Sequence, residues 1–274
     1  MRQDVIVANT SLLNTDWYTR QLIRRPVYEY DKAAGPAIYR NGNWKKPSGS
    51  PLHMTMTQAD SVPPYIQLDR PMVFQGGPIK ATIDPQRLSI PGVLQRADIF
   101  VLRMIADSWN DRPMYLSRTS AGYGQELGLG SYMLTQGLAT KLFVPPAVPS
   151  KDTLNIPGAG WIDLKTTKTL WDSVFIAPKS LAARHDWVDR PSVGIPYLYV
   201  ATGLMLAEVL QATGDNAAAA KVMNQARDVA KGVKLNDLLA QMELSTPAAA
   251  SQQNPLLVPP SDTQRKQAVP AKKP

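Results

Sequence analysis

The stretch DVIVANTSLLNTDWYTRQLIRR, residues 4–25, carries more information about the fold than any other part of the chain. Its β-branched run at residues 5–7 predicts a buried strand. Polar side chains that can cap a helix follow, and Asp16 places negative charge where the first turn of a helix favours it. We expect Trp17 and Leu22 to face inward. The stretch therefore predicts a strand that turns directly into a helix, as at the start of an α/β fold.

Part of this stretch resembles a known family. The pattern Asn-x-Ser-Leu-Leu-Asn-Thr-x-Trp-Tyr-x-Arg-Gln-Leu, here residues 9–22, is similar to the soluble C-terminal region of the DUF2723 family, bacterial membrane proteins related to protein O-mannosyltransferases. The likeness continues over residues 98–102, 109–115, 127–132 and 136–142. The chain departs from the family at Gln136 and Thr140, where the family usually has Glu and Tyr. The resemblance implies a domain on the outer side of a membrane.

The family's membrane portion is not found in this sequence. The longest apolar stretch, residues 200–210, is interrupted by Thr202, Gly203 and Glu208. It falls short of the roughly 20 apolar residues of a spanning helix and predicts an amphipathic helix instead. The first residues show no secretory signal pattern. From the resemblance we expect a peripheral protein on the periplasmic side of a bacterial membrane.

The composition of the chain limits the classes of partner that we expect. The chain has 274 residues, 44% hydrophobic and 19% charged, which fits one or two globular domains. Its net charge of +8 suits an acidic protein surface or anionic lipid. No nucleic-acid-binding module occurs, so we expect no nucleic acid partner. With no cysteine in the sequence, disulfides and thiolate chemistry are excluded.

The predicted fold class is α/β, with a small, mainly parallel sheet, covering helices, long proline-rich loops and a C-terminal helical hairpin. We predict an α/β domain (1–145) with a proline-rich insertion (26–92), a linker with a small α/β extension (146–195), a hairpin (196–244) and an extended basic tail (245–274). Strands are expected at 37–40, 65–68, 80–83, 114–116 and 161–164, and helices at 93–109, 166–175, 197–213, 216–231 and 235–242. Small residues in the paired helices at 197–231 make them similar to a single tetratricopeptide-type hairpin.

A polar pocket is one interpretation of the first helix. Its residues would lie beyond the carboxyl end of a strand, where α/β proteins bind ligands. Helix capping is the other interpretation, and it needs no ligand. The residues concerned are Asn9, Ser11, Asn14, Thr15, Asp16 and Arg20.

A second set of residues suggests contact with a partner. Trp44 beside Lys45 and Lys46, in the proline-rich region, suits a protein interface or a lipid headgroup. The tail adds four further basic residues, Arg265, Lys266, Lys272 and Lys273. Its Ala, Pro, Gln, Ser and Lys composition cannot bury enough apolar surface to order itself in isolation.

The sequence shows no catalytic constellation. Its histidines, His53 and His185, stand far apart and lack the spacing of a metal site or triad. The glycines of residues 122–128 miss the dinucleotide-binding spacing, and we interpret Gly122 to Gly124 as a turn. We predict no catalytic residue, no cofactor and no metal.

Two functional hypotheses follow. The first is a non-catalytic accessory subunit that docks on a membrane protein complex, for example a photosynthetic or respiratory one, through its loops and tail. The second is a soluble acceptor- or substrate-recognition domain of a glycosyltransferase-like membrane protein.

Overall fold

The computed structural model describes residues 4–40, 45–157, 160–187, 189, 191–237 and 239–240. Within them the helices are α1 (Asp16–Arg24), α2 (Ala37–Arg40), α3 (Met56–Asp60), α4 (Arg96–Ser108), α5 (Ala121–Glu126), α6 (Leu164–Thr169), α7 (Ala177–Ala182), α8 (Gly194–Ala212) and α9 (Asn216–Gly232). A π-helical segment, Leu170–Val174, continues α6. The strands are β1 (Tyr65–Gln67), β2 (Met72–Gly76), β3 (Ile79–Ile83), β4 (Val93–Gln95), β5 (Tyr115–Ser117), β6 (Met133–Gln136), β7 (Ala139–Leu142), β8 (Thr153–Ile156) and β9 (Gly160–Asp163). The chain is a mixed α/β protein, as the sequence predicts.

The main sheet is mixed, with five strands in the order β5-β7-β6-β9-β8. Strands β6 and β9 are parallel, whereas the other neighbouring pairs are antiparallel. The prediction of a mainly parallel sheet is wrong, because short turns join β6 to β7 and β8 to β9, and a short turn can only return the chain antiparallel. In the first of these turns Gly137 has a φ of 64°, a conformation that favours glycine.

Two predicted strands are not strands. The hydroxyl of Tyr18 accepts a hydrogen bond from the Asn9 N–H at 2.7 Å and donates to the Val7 carbonyl at 3.3 Å. Residues 5–7 therefore run beside α1 without joining a sheet. The segment 37–40 is helix α2, in which the Tyr39 N–H reaches the carbonyl of the preceding Pro36 at 3.0 Å and closes a helical turn.

Helix α1 packs through one face only. Thr19 and Leu22, three residues apart, are 1% and 2% exposed. Trp17 lies two residues before Thr19, about 200° around the helix, and is 53% exposed. The expectation of an inward side chain is therefore right for Leu22 and wrong for Trp17.

Part of the proline-rich insertion is hydrogen-bonded to the end of α4 and the residues just after it. Both carboxylate oxygens of Asp111 accept the Ser48 N–H at 2.9 Å. The Asp107 carboxylate accepts the His53 N–H at 2.8 Å. Residues 48–53 have no strand partner, so these side chains satisfy backbone groups that a ladder would otherwise bond. The insertion also supplies two hairpin strands, β2 and β3, joined by a tight turn around Gly77.

The main core surrounds α4, whose Phe100 is fully buried. The same cluster contains Leu13 of the opening segment and Met133 and Leu142 of the main sheet. Strands β5 to β7 precede the proposed domain boundary at residue 145, and β8 and β9 follow it. The regions 1–145 and 146–195 therefore share one sheet.

Helices α8 and α9 pack against each other as the predicted hairpin. The Asp215 side chain accepts the Ala218 N–H at 3.2 Å and caps α9. Gly203 lets the helices approach, since a Cβ built there would lie 2.9 Å from the Cβ of Ala226. Among the described residues, α8 is the one helix long and apolar enough to cross a membrane, and 50% of its apolar window is buried in the fold. Of the helix predicted at 235–242, residues 235–237 and 239–240 are described, and 236, 237, 239 and 240 are helical. All of the tail lies outside the described residues.

Candidate functional site

The six residues of the predicted pocket are mostly engaged in holding the fold. The Asn9 carboxamide oxygen accepts the Leu12 N–H at 3.2 Å and caps the short 3-10 turn before α1. The Thr15 hydroxyl donates to the Leu12 carbonyl at 2.6 Å. Ser11 is exposed on the same turn. Asn9 therefore supports the capping interpretation, whereas Thr15, the residue before α1, makes no side-chain capping bond to that helix.

Asn14 and Asp16 reach across to the beginning of α4. The Asn14 side-chain oxygen accepts the Ala97 N–H at 3.0 Å, so it caps a helix that begins far along the chain. The Asp16 carboxylate pairs with Arg96 at 2.5 Å. Together the two contacts lock the opening segment onto the core helix.

Arg20 pairs with a different element. Its guanidinium donates to both carboxylate oxygens of Asp60, at the end of α3, at 3.2 and 2.8 Å. This bidentate pair lies on the surface, with about 40% of each side chain exposed. Arg20 and Asn14 therefore bond to different elements and do not share a cavity. None of the six predicted residues lines either of two surface grooves in the described part of the chain.

A groove of about 400 Å³ lies at the carboxyl end of α1. We call it the α1 groove; its lining residues are Tyr18, Gln21, Leu22, Arg24, Arg25, Pro26 and Tyr28. The Tyr18 hydroxyl makes hydrogen bonds to the backbone of residues 7 and 9, and these bonds hold the Tyr18 ring in place as one wall of the groove. Trp17, Gln21 and Arg24 follow one another at helical spacing, so the exposed Trp17 indole continues the same side of the helix.

Sequence reasoning missed this groove, although it lies within the most informative stretch. It treated the apolar residues of the first helix as core, and Tyr28 was not singled out. A signal was available, because Tyr18, Arg24, Arg25 and Tyr28 combine aromatic and guanidinium side chains, which are enriched at protein interfaces.

A second groove, of about 650 Å³, contains two residues of the predicted interface. Lys45 and Lys46 face the segment 29–33, which contributes Glu29 and Asp31. The groove therefore carries charges of both signs. Trp44 and the four basic residues of the tail lie outside the described residues, so their predicted interface role is left as a prediction.

A buried polar pair lies beside the amino end of α4. Asp98 is 5% exposed and accepts the Tyr123 hydroxyl at 2.6 Å and the Gln95 N–H at 2.7 Å. Burial, and after it the hydrogen bond and charge of Asp98, raises the pKa of Tyr123 above its usual range. The phenol therefore stays a hydrogen-bond donor. Tyr123 sits in helix α5, so the prediction of a turn at residues 122–124 is wrong.

Gln136 makes a side-chain hydrogen bond between two neighbouring strands of the main sheet. The Gln136 amide donates to the Asp163 carboxylate at 2.8 Å, and Asp163 in turn caps α6 by accepting the Thr166 N–H at 2.8 Å. The Gln136 side-chain oxygen is buried with no hydrogen-bond partner among the described residues. A glutamate here would set two carboxylates side by side, so the amide suits this chain's own fold.

The structure gives the two histidines different settings. His53 is bonded through its backbone to Asp107, and the His185 side chain is exposed. The described ranges contain no group of three or more His, Cys, Asp or Glu residues arranged to hold a metal ion.

Comparisons with protein-family models, curated proteins and solved structures find no match for this chain.

Proposed function

We propose that this chain is a non-catalytic accessory subunit that docks on a membrane protein complex, and that the surface around α1 makes the contact. The observation that carries the proposal is the exposure of large apolar side chains there. Val7, Trp17 and Tyr28 are 76%, 53% and 44% exposed. Trp17 and Tyr28 lie along or within the α1 groove, and Val7 is joined to its wall through Tyr18.

The composition of this surface supports a protein partner. Trp, Tyr and Arg are the residue types that carry most binding energy at interfaces, because they combine large apolar area with directed hydrogen bonds. The α1 groove contains two of these types, tyrosine (Tyr18 and Tyr28) and arginine (Arg24 and Arg25). Helix α1 is also rigidly seated through Thr19, so a partner would meet a preformed surface.

The proposed location at a membrane is based on the sequence. The resemblance of residues 9–22 to the soluble region of a membrane-protein family favours a position at the periplasmic face of a membrane. The net charge of +8 favours an acidic partner surface, and the basic tail would add contacts. A photosynthetic or respiratory complex would suit a subunit of this kind.

The helical hairpin suits the same role. We propose that α8 and α9 form a single tetratricopeptide-like unit that stabilises the sheet. Gly203, Ala207 and Ala219 are the small residues that such close packing uses.

A second candidate function is a substrate- or acceptor-recognition domain of a glycosyltransferase-like membrane protein. The size of the α1 groove, about 400 Å³, favours it because pockets for small ligands fall in this range. Recovery of the chain as part of a much larger single polypeptide would support this candidate over the first.

The test is purification of the native protein from its own membranes in mild detergent, with mass spectrometry of the proteins that co-migrate at fixed ratio. We expect a stoichiometric membrane complex whose recovery falls when Trp17→Ala or Tyr28→Ala is introduced. Tyr65→Ala is the matched control, because Tyr65 is 58% exposed on a different element. Equal loss with all three variants, or no companion protein at all, would overturn the proposal.

A further inference from the structure

Two arginines of the α1 groove differ from the other arginines of this surface. Arg20 is paired with Asp60, and Arg96 with Asp16. Arg24 and Arg25 line the groove, and neither has a carboxylate partner within the part of the chain that the structure describes. The groove therefore presents two positive charges that the fold does not neutralise.

The helix end compensates this charge only in part. Arg24 is the last residue of α1, where the free carbonyl groups amount to about half a negative charge. Arg25 follows with an extended backbone, φ −62° and ψ 127°, outside the helix. The partial charge of the helix end therefore does not cancel the charge of two guanidinium groups.

The walls of the groove are apolar and concave. Tyr18, Pro26 and Tyr28 flank the two guanidinium groups, and the Tyr18 ring is fixed by its hydroxyl bonds to residues 7 and 9. A concave site encloses a narrow segment of chain, whereas the plane of a bilayer would touch only its rim. Guanidinium groups also match carboxylates in a bidentate geometry.

We infer that the α1 groove binds an acidic peptide segment of the partner, with its carboxylates on Arg24 and Arg25 and an apolar side chain against Tyr28. This inference rests on the proposed docking function and names the chemistry of its partner. The contact would be salt-dependent, because charges at a partly open groove are screened by ions.

The experiment measures binding of a fluorescent twelve-residue peptide of Glu, Leu and Tyr to the full chain by polarisation. The same peptide with every Glu replaced by Gln is the first control, and vesicles containing phosphatidylglycerol are the second. The protein variants are Arg24→Gln/Arg25→Gln and, as a charge-matched control in the other groove, Lys45→Gln/Lys46→Gln.

We expect the acidic peptide to bind about 10- to 100-fold more weakly to the arginine variant, since two charge-assisted hydrogen-bonded contacts are lost. The lysine variant should bind almost as well as the parent, and the Gln peptide should not bind. Equal weakening by both variants would show general charge attraction and overturn the inference. Binding to vesicles that depends on the two arginines, without peptide binding, would assign the groove to lipid and also overturn it.

The same variants separate this inference from the docking proposal. If Trp17→Ala reduces recovery of the native complex while Arg24→Gln/Arg25→Gln does not, the docking surface stands and the acidic partner is wrong. If neither changes recovery, the docking proposal itself fails.

Discussion

Asn14 shows how a single residue can connect distant parts of the chain. Its side-chain oxygen accepts the N–H of Ala97, 83 positions later, at the first turn of α4. The first N–H groups of a helix have no partner within the helix, so an external acceptor replaces water there. Residue 14 was predicted to cap a helix, and it does so for a helix other than its own.

Replacing Asn14 by Ala should lower the free energy of unfolding by about 1 kcal/mol, the usual value of a lost cap. Urea denaturation followed by circular dichroism measures it. Ser11→Ala is the control, because Ser11 is exposed on the neighbouring turn. An equal effect of the two changes would show that Asn14 does not act as a cap.

Glu208 should make stability depend on pH. Burial raises the pKa of this carboxyl, and one of its oxygens is buried with no hydrogen-bond partner in the described part of the chain. The folded state therefore holds its proton more tightly than the unfolded state does. Stability from this group is fully present below the ordinary pKa of 4.5 and is lost as pH rises through the raised pKa.

Glu208→Gln should therefore stabilise the protein at pH 7 by up to about 1 kcal/mol, a modest value because water still reaches part of the side chain. The difference should vanish near pH 4. Urea denaturation at a series of pH values measures both, with the exposed Glu29→Gln as control. A variant less stable than the parent at pH 7 would contradict the assignment.

At the scale of elements, α8 packs closely against its neighbours. A Cβ at Gly203 would lie 2.6 Å from the Trp171 ring and 2.9 Å from the Cβ of Ala226. Both distances are shorter than real carbon contacts, so the two helices and the Trp171 side chain would have to move apart. The position needs glycine for space, since its backbone is ordinary helix.

Gly203→Ala should lower the free energy of unfolding by about 1–3 kcal/mol, the usual cost of overpacking. Gly194→Ala, at the first residue of the same helix, is the matched control, because no atom lies within 4 Å of its added Cβ. It should be neutral or slightly stabilising. Thermal and urea denaturation of both variants measure the contrast, and similar losses would exclude close packing as the cause.

At the scale of the whole molecule, α6 and the π-helical segment connect the sheet to the hairpin. The Thr167 hydroxyl accepts the Gly137 N–H at 3.1 Å in the turn between β6 and β7. One turn later Trp171 is 3% exposed, packed in the helical core, and its indole N–H donates to Gln225 of α9 at 2.8 Å. The segment therefore joins two hydrophobic clusters through buried contacts on both sides.

Thr167→Val should therefore lower the stability of the main sheet and of the helical hairpin together. The change keeps the shape but leaves the buried Gly137 N–H without its acceptor, at a cost of about 1–3 kcal/mol. Hydrogen exchange should show reduced protection in β6 and in α9 alike. Thr169→Val is the control, because the Thr169 hydroxyl bonds only within its own helix, to the Lys165 carbonyl. Unchanged exchange in α9 would mean that the hairpin unfolds independently.

Local patterns alone predicted much of this architecture. Helical spacing located α4, α8 and α9, and each predicted range agrees with the observed helix within three residues at either end. The strand predicted at 80–83 corresponds to β3, whereas its hairpin partner β2 was not predicted. These features depend on residues close together in the chain, where the periodicity of side chains and the chemistry of turns act directly.

The tertiary structure decided which face of α1 is buried, how the strands run and what the polar residues of the opening segment bond to. Trp17 faces outward because Thr19 and Leu22 occupy the buried side of α1, which packs on α3. Hydrophobicity by itself does not specify which apolar residue takes that side. Asn14 and Asp16 bond to Ala97 and Arg96, about 80 positions later in the chain, and no local pattern specifies such partners. The sequence by itself therefore determined the long helices and some of the strands, where local periodicity acts directly, whereas long-range packing determined the remaining elements and the surface on which the proposed function depends.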